Sequence, residues 1–490
     1  MSPLKRTTLA FIVIALVASI FADLEISTVN PWIELKRLFI GVVTPDFYAT
    51  DNLGGAIVYT LAFALLGVAF GNIFGFILSL LFFNVVVRTA CAFVRSVHEL
   101  FWALIFLQLF GLSPLTGILA IGIPYAGIIA KVYAEILEEA DPAPLQAIPA
   151  GASRASAFLF VRLPDAWAHF KTYSMYRLEC GLRSSAVLGF VGLPTLGFHL
   201  ESAFSQGLYS EVSALLILFY FIIASMRVWM RRPALPFYLV GAAAILPWGL
   251  SFSADNIWRF LTHDIVPYPL RAADSADMWS NLGAWLQTML VDQALPGAIA
   301  TVQLTMIALV GAGLLTLVFF PLISPLLFKR PARTLGHAFL VVVRSTPEYI
   351  LAYVLLQLWG PSMLPAIVAL TLHNAGIIGH LVGRYTESIN LRIDASEGLR
   401  RYGYEILPRV YRHLLALLFY RWEVIMRETA ILGILGIATL GFYVDSAFAD
   451  LRFDRAIFLI LVTALLNIGI DIISRRIRSR LRLQTSMEHQ

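Results

Sequence analysis

The chain predicts an all-α polytopic membrane protein of about twelve transmembrane helices, arranged as two parallel six-helix repeats. Three observations carry this. The 490 residues are 59% hydrophobic and 14% charged, with a mean hydropathy of +0.78, which is more apolar surface than a water-soluble core of this length could bury. The apolar residues fall in runs long enough to cross a hydrocarbon core of about 30 Å as helices. One passage is also written twice: YRLECGLRSSAVLGFVGLPTLGFHLESAF at 176–204 returns as YRWEVIMRETAILGILGIATLGFYVDSAF at 420–448, with about half its positions identical.

Apolar runs begin near residues 8, 54, 97, 115, 170 and 212 in the first half and near 236, 293, 336, 364, 410 and 455 in the second. If every run spans, Lys5/Arg6, Arg88/Arg95, Arg227/Arg231/Arg232, Lys329/Arg330/Arg333 and the arginines of 475–482 all fall on one side. That side is the cytoplasmic one, and both termini lie there. The net charge of +5 thus reports topology in a bacterial-type inner membrane, in contact with lipid and not with nucleic acid. The first run is short enough to suit a signal peptide, but 237–250 stands in the equivalent place of the second half, which favours an uncleaved anchor. Cys91 and Cys180 sit in or beside apolar segments and make neither a disulfide framework nor a metal site.

After the first helix of each half comes an amphipathic stretch, 30–51 and 255–293, whose Trp32, Trp258, Trp279 and Trp285 suit the headgroup level on the outer side. Gly67, Gly71 and Gly75, one turn apart in the next helix, offer a face that another helix backbone can approach. The repeat extends backwards. Arg95/Glu99 correspond to Arg344/Glu348 and 126–129 to 375–378, both at a spacing of 249 (344 − 95; 375 − 126), whereas Arg183 and Arg427 are 244 apart (427 − 183). The five-residue difference is confined to one cytoplasmic loop, about 138–165 in the first repeat (1–232) and about 387–409 in the second (233–490). Collinear repeats of this kind arrange as a pseudo-dimer about an axis along the membrane normal.

The first loop reads EEADPAPLQAIPAGASRASAFLFVRLP, with Glu138 and Asp141 at its acidic start, then Gly151-Ala152-Ser153, then Leu163-Pro164. A helix at 142–150, a glycine break and a second helix up to Pro164 would make an L-shaped knob. The second loop, ASEGLRRYGYEILP, keeps Glu397 and Gly403 and closes sooner on Leu407-Pro408. The first loop resembles the cytoplasmic coupling loop of ABC-importer permeases. The RS-x-x-E start of the third helix, the AGII helix before the loop, DPAP leading into GAS, and Y-R-x-E-x-x-x-R-S-S-x-V-L-G-x-V-G after it resemble the phosphonate-type permeases, with two permease units fused in one chain. The resemblance covers 54–227 and 296–482. It implies that the loops dock two copies of a cytoplasmic ATPase, which bind the ATP and Mg²⁺, and that an extracytoplasmic solute-binding protein delivers the ligand. Leu145-Gln146 stands where that family usually has an acidic residue, and the second loop is truncated, so the two docking sites are expected to be unequal.

Ionisable groups at membrane depth face a partner or a water-filled path. Glu179/Arg183 and Glu423/Arg427 are each four apart and either form structural ion pairs or let Arg183 and Arg427 line the path for a phosphorus oxyanion. Ser184, Ser185 and Thr429 could add hydroxyls, and Gly189, Gly192, Gly433 and Gly436 could let the helices kink or pack closely. Arg95/Glu99 and Arg344/Glu348 read as structural, as do His98, His373 and His380. The sequence contains no G-x-x-x-x-G-K-[ST], H-E-x-x-H or nucleophile elbow, so chemistry inside the chain is not expected. The function implied is the permease of an ATP-driven importer for phosphonate or a related oxyanion. An importer for an amino acid or another oxyanion, an ion-gradient-driven transporter and a membrane scaffold stay open as alternatives.

Overall fold

The computed structural model describes residues 2–28, 30–140, 143–146, 151–230, 232–249, 253–271, 277–392 and 394–483, and among these it has helices and turns but no strand. The chain forms two compact units. A first-half unit takes Leu38–Thr262, and a second-half unit takes Met1–Arg37 with His263–Gln490. The units do not follow the repeat boundary of 1–232 and 233–490, because the first helix of each repeat is built into the unit of the other repeat.

That first helix is α1 (Pro3–Phe21), in the second-half unit, and α2 (Pro31–Val43) follows it across the unit boundary. The first-half unit continues with α3 (Leu53–Leu80), α4 (Val85–Ser96), α5 (Glu99–Phe110), α6 (Pro114–Glu139), α7 (Ala143–Gln146), α8 (Arg154–Ala157), α9 (Leu163–Val187), α10 (Leu196–Ser205), α11 (Tyr209–Trp229), α12 (Leu235–Ile245) and α13 (Ala254–Arg259). The second-half unit contains α14 (Tyr268–Arg271), α15 (Met278–Thr288), α16 (Leu295–Phe319), α17 (Arg330–Ser345), α18 (Glu348–Trp359), α19 (Met363–Tyr385), α20 (Gly398–Arg400), α21 (Leu407–Ile434), α22 (Leu440–Ala449) and α23 (Phe453–Arg480).

Helix α1 packs on α16 and α21, with the Phe11 ring edge-on to Phe419 and Trp422 and the Thr8 hydroxyl 2.5 Å from that of Tyr411. Its counterpart α12 packs on α3. Trp32, Trp258 and Trp279 are exposed as interfacial indoles should be, whereas Trp285 turns inward and packs edge-on to Phe458.

Among the described residues seven helices are long and apolar enough to span a membrane, and three bent pairs raise the number to ten. Two of the twelve expected spans fall outside that number for physical reasons. Helix α12 has 11 residues, about 16 Å at 1.5 Å per residue, too short to cross alone. Helix α21 is long enough at 28 residues, but Arg421, Glu423, Arg427 and Glu428 put four charges into its inner half.

The runs near 97 and 336 are not straight either. Helices α4 and α5 meet at 94° and α17 and α18 at 89°. Each pair still carries the chain across once, as the packing on either side of it requires. A Cβ on Gly67, Gly71 or Gly75 of α3 would meet Ile121, Tyr125 or Ile129 of α6 at 2.8 Å, so the two helices run in the same direction at close range. In the second-half unit Gly379 and Gly383 of α19 meet Phe319 and Ile323 at the end of α16, again with residue numbers rising together, as Gly311 and Thr371 do further back. Helices that run parallel on either side of a bent pair require the pair to return the chain to its starting side.

Candidate functional site

The twice-written passage folds into the same elbow in both units. After α9 the chain makes one 3-10 turn and bends by 54° into α10. Gly189 lies against the backbone of 197–198, and Gly192 has φ +88°, a left-handed conformation that favours glycine. Gly433 lies against the backbone of 441–442, and Gly436 has φ +85°. One hydrogen bond then closes each elbow. The buried N–H of Leu196 donates to Thr60 Oγ1 at 2.8 Å, and that of Leu440 to Thr301 Oγ1 at 3.0 Å. The glycines therefore serve the turn and the close approach together.

Behind the elbows the units differ in chemistry. In the first-half unit, Ser184 donates to Glu99 at 2.8 Å and takes a hydrogen bond from the Tyr125 hydroxyl at 3.0 Å. His98 caps α5 through Nδ1 and lies 3.8 Å from Glu99. Arg177 donates its Nε–H to the Tyr173 hydroxyl at 2.7 Å, and its guanidinium lies over the rings of Tyr173, Tyr176 and Tyr125 at 5.0, 5.4 and 5.8 Å. In the second-half unit the corresponding arginine, Arg421, pairs with Glu428 at 3.2 Å and donates twice to Asn374 Oδ1 at 2.8 and 2.6 Å. Asn374 Nδ2 donates to Glu428 at 3.2 Å, and His373 sits between the carbonyl of Thr346 at 2.9 Å and Glu348 at 3.7 Å.

Glu348, His373 and Glu428 offer ligand atoms within 4.8 Å of one another, a nitrogen and oxygen set of the kind zinc-like cations accept. Glu428 is already held by Arg421 and Asn374, and a guanidinium 3.2 Å from a prospective ligand oxygen repels a cation, so the cluster is an ion-pair network. Sequence reasoning missed Glu428 because its repeat-mate is Ser184. The signal was available at the 244 spacing as a polar position that changes charge between the halves.

The predicted lining residues fare unequally. Among the described residues Glu179 does not close the expected pair with Arg183, whose Nη2 instead donates to Cys180 Sγ at 3.4 Å. Ser185 and Thr429 are buried and donate to their own helix, at Leu182 and Met426. Of the three hydroxyls, Ser184 alone reaches another helix. Arg183, Glu423 and Arg427 are partly buried.

In the first loop Asp141 and residues 147–150 lie outside the described residues. Glu138 is in the last turn of α6, and Gly151, Ala152 and Ser153 are exposed. Ser153 caps α8 by accepting from the Ser156 N–H at 3.1 Å. Among the described residues a Cβ on Gly151 would meet nothing within 4 Å. The second loop makes its left-handed turn at Gly398 (φ +66°), and Gly403 lies inside a helical turn.

The knob does not end at either proline. A π turn over Phe158–Arg162, closed by Leu163 N–H to Phe158 O, runs straight into α9, and one over Arg401–Ile406, closed by Leu407 N–H to Tyr402 O, runs into α21. Widening the turn accommodates Pro164 and Pro408, which lack an N–H and would crowd the preceding carbonyl. Both loops expose an aromatic at the same register, Phe160 at 79% and Tyr404 at 81%. The second loop is tied to its unit by Tyr402 Oη to Leu317 O at 2.9 Å and Arg401 to Leu326 O at 3.2 Å, and Arg409 pairs with Glu405 within the loop at 2.8 Å.

Two elbows, two loops that end in π turns and charged networks inside apolar helix bundles define a polytopic transport protein made of two copies of one permease unit. Residues 317–483 match the family of binding-protein-dependent transport system inner membrane components, and the chain belongs to that family. It is similar to the phosphate-import permease protein PhnE of Mycolicibacterium smegmatis, 26% identical over 425 residues that cover 81% of this chain and 78% of that one. It is also similar to the phosphite transport system permease protein PtxC of Stutzerimonas stutzeri, 32% identical over 184 residues, 35% of this chain and 66% of that one. A putative cryptic phosphonate transport system permease, PhnE2 of Escherichia coli, is 33% identical over 101 residues, 20% of this chain and 83% of that one. No solved structure matches.

Proposed function

We propose that this chain is the membrane permease of an ATP-driven importer for phosphonate, phosphite or phosphate, with both permease halves fused. The observation that carries the reading is the pair of repeated elbows and loops in a chain whose relatives are named for phosphorus oxyanions. The loops dock two copies of a cytoplasmic ATPase, the ATP and Mg²⁺ belong to those partners, and an extracytoplasmic binding protein presents the ligand. Both termini face the cytoplasm. Closure of the ATPases moves the two units as rigid bodies, and because α1 and α12 are exchanged, each half carries a helix of the other with it.

The test begins with a tag on the C-terminus, gentle extraction from the native membrane, and quantification of what co-purifies. Two ATPase copies per chain support the reading, and one copy gives an asymmetric machine. Uptake into vesicles that runs on an ion gradient without ATP sinks it.

A further inference from the structure

The repeat places one arginine at the same depth in both units and then treats it differently. Arg177 lies 14 residues beyond the start of α9, about 21 Å along its axis, well inside the membrane-spanning part. Its repeat-mate Arg421 has a carboxylate partner two turns on, Glu428, and a shared amide, Asn374. At those two places the first-half unit has Ser184 (428 − 244) and Tyr125 (374 − 249). Among the described residues no carboxylate lies within ion-pair distance of Arg177, and its guanidinium is surrounded by the uncharged rings of Tyr173, Tyr176 and Tyr125. Its Nε edge is fixed on Tyr173, and three phenol rings hold its plane, so the Nη1–Nη2 end of the fork is preorganised.

We propose that Arg177 is the residue that contacts the transported oxyanion, at the place where the second-half unit carries the carboxylate of Glu428. In that unit Glu428 is a tethered anion that fills the equivalent position. In the first-half unit Ser184, whose hydroxyl is held by Glu99 and Tyr125, brings no charge of its own, and the anion that meets Arg177 is the cargo. A phosphonate or phosphite presents two oxygens to a guanidinium in the same bidentate manner as a carboxylate. Neutralising one arginine and leaving the other open keeps the contact weak enough for release. The inference rests on the oxyanion reading given above.

The experiment uses the full complex in vesicles, with methylphosphonate, phosphite and inorganic phosphate as separate probes. Arg177→Gln and a graft of the second-half residues (Pro124→His with Tyr125→Asn and Ser184→Glu) should each lower uptake about tenfold or more, while the ATPase co-purifies as in the wild type. Either variant assembling normally and transporting within about twofold of the wild type overturns the proposal. If neither assembles, Arg177→Lys decides, since it keeps the charge and loses the fork. A raised apparent KM with intact assembly supports the site, and an unchanged KM overturns it. A wild type that takes up none of the three probes overturns the ligand class, a failure distinct from that of the site.

Discussion

Replacing Gly189 with alanine tests whether the elbow is a packing element that cannot yield. A Cβ there would lie 2.8 Å from Phe198 Cα, and nearer still to the Phe198 nitrogen, where ordinary contact begins at 3.4 Å. Helix α10 must therefore retreat by at least 0.6 Å (3.4 − 2.8), and what it retreats from is backbone, which has no rotamer to give. Overpacking a tight interior costs about 1–3 kcal/mol, and here the upper end applies because the displacement also stretches the Leu196 N–H to Thr60 bond. The repeat supplies an internal duplicate: at Gly433 the new Cβ would lie 2.7 Å from Gly441 Cα, a shortfall of 0.7 Å. It also supplies a control, Gly241 in α12, whose Cβ position meets nothing within 4 Å.

Thermal unfolding of the detergent-purified complex, followed alongside ATPase co-purification, separates the three. Gly189→Ala and Gly433→Ala should each lose a comparable amount of stability or fail to assemble. Gly241→Ala should be neutral or slightly stabilising, since alanine is the better helix former by up to about 1 kcal/mol. A Gly189→Ala protein that assembles and melts with the wild type would refute the close-approach reasoning for both elbows.

Thr60→Val and Thr301→Val each strand one buried N–H and should each cost about 1 kcal/mol in the same assay. Because they lie in separate units and share no partner, the double variant should show the sum to within about 0.5 kcal/mol. Phe160→Ser and Tyr404→Ser should each reduce ATPase binding without lowering the melting temperature, since both side chains are exposed; a melting shift with normal ATPase binding would make them packing residues. Tyr402→Phe removes the bond to Leu317 O and should loosen the second loop, read as faster proteolysis between 387 and 409. Asp454→Ala deletes the buried acceptor of the Tyr268 N–H at 3.1 Å and should expose the 268–288 segment to hydrogen exchange with uptake at vesicle scale little changed.

Much of the fold was legible because the signals are periodic and doubled. The repeat spacing gives collinear halves, and the hydropathy runs give every span that is straight and uncharged. Hydropathy cannot report the 94° and 89° breaks, because a bent pair and a straight helix share one composition. Nor can it report the exchange of α1 and α12, which is a choice of packing partner between two nearly equivalent surfaces. The left-handed position in the second loop is Gly398, which no spacing singled out. The first loop's helix was expected to run up to Pro164 and the second loop to close on Leu407-Pro408, and a π turn carries the helix on through each proline. The site was half legible: identical arginines draw the eye, but the decisive difference lies in what faces them.

What the two halves keep and what they change divide along a physical line. The glycine elbows, the threonine bond to the N–H of Leu196 or Leu440, and the π turns before Leu-Pro are backbone devices, and they recur almost residue for residue. The groups around Arg177 and Arg421 are side-chain chemistry, and they diverge. A permease made of two identical subunits could not do this, since any substitution that opens one arginine opens the other. Fusion into one chain lifts that constraint. It permits one unit to hold its charge inside an ion-pair network, which fixes helices α18, α19 and α21 against one another, while in the other unit Arg177 has no carboxylate partner among the described residues. An intramembrane charge left in that state is costly. Its persistence in one half, with compensation built into the other, is the argument that it meets an anion during transport.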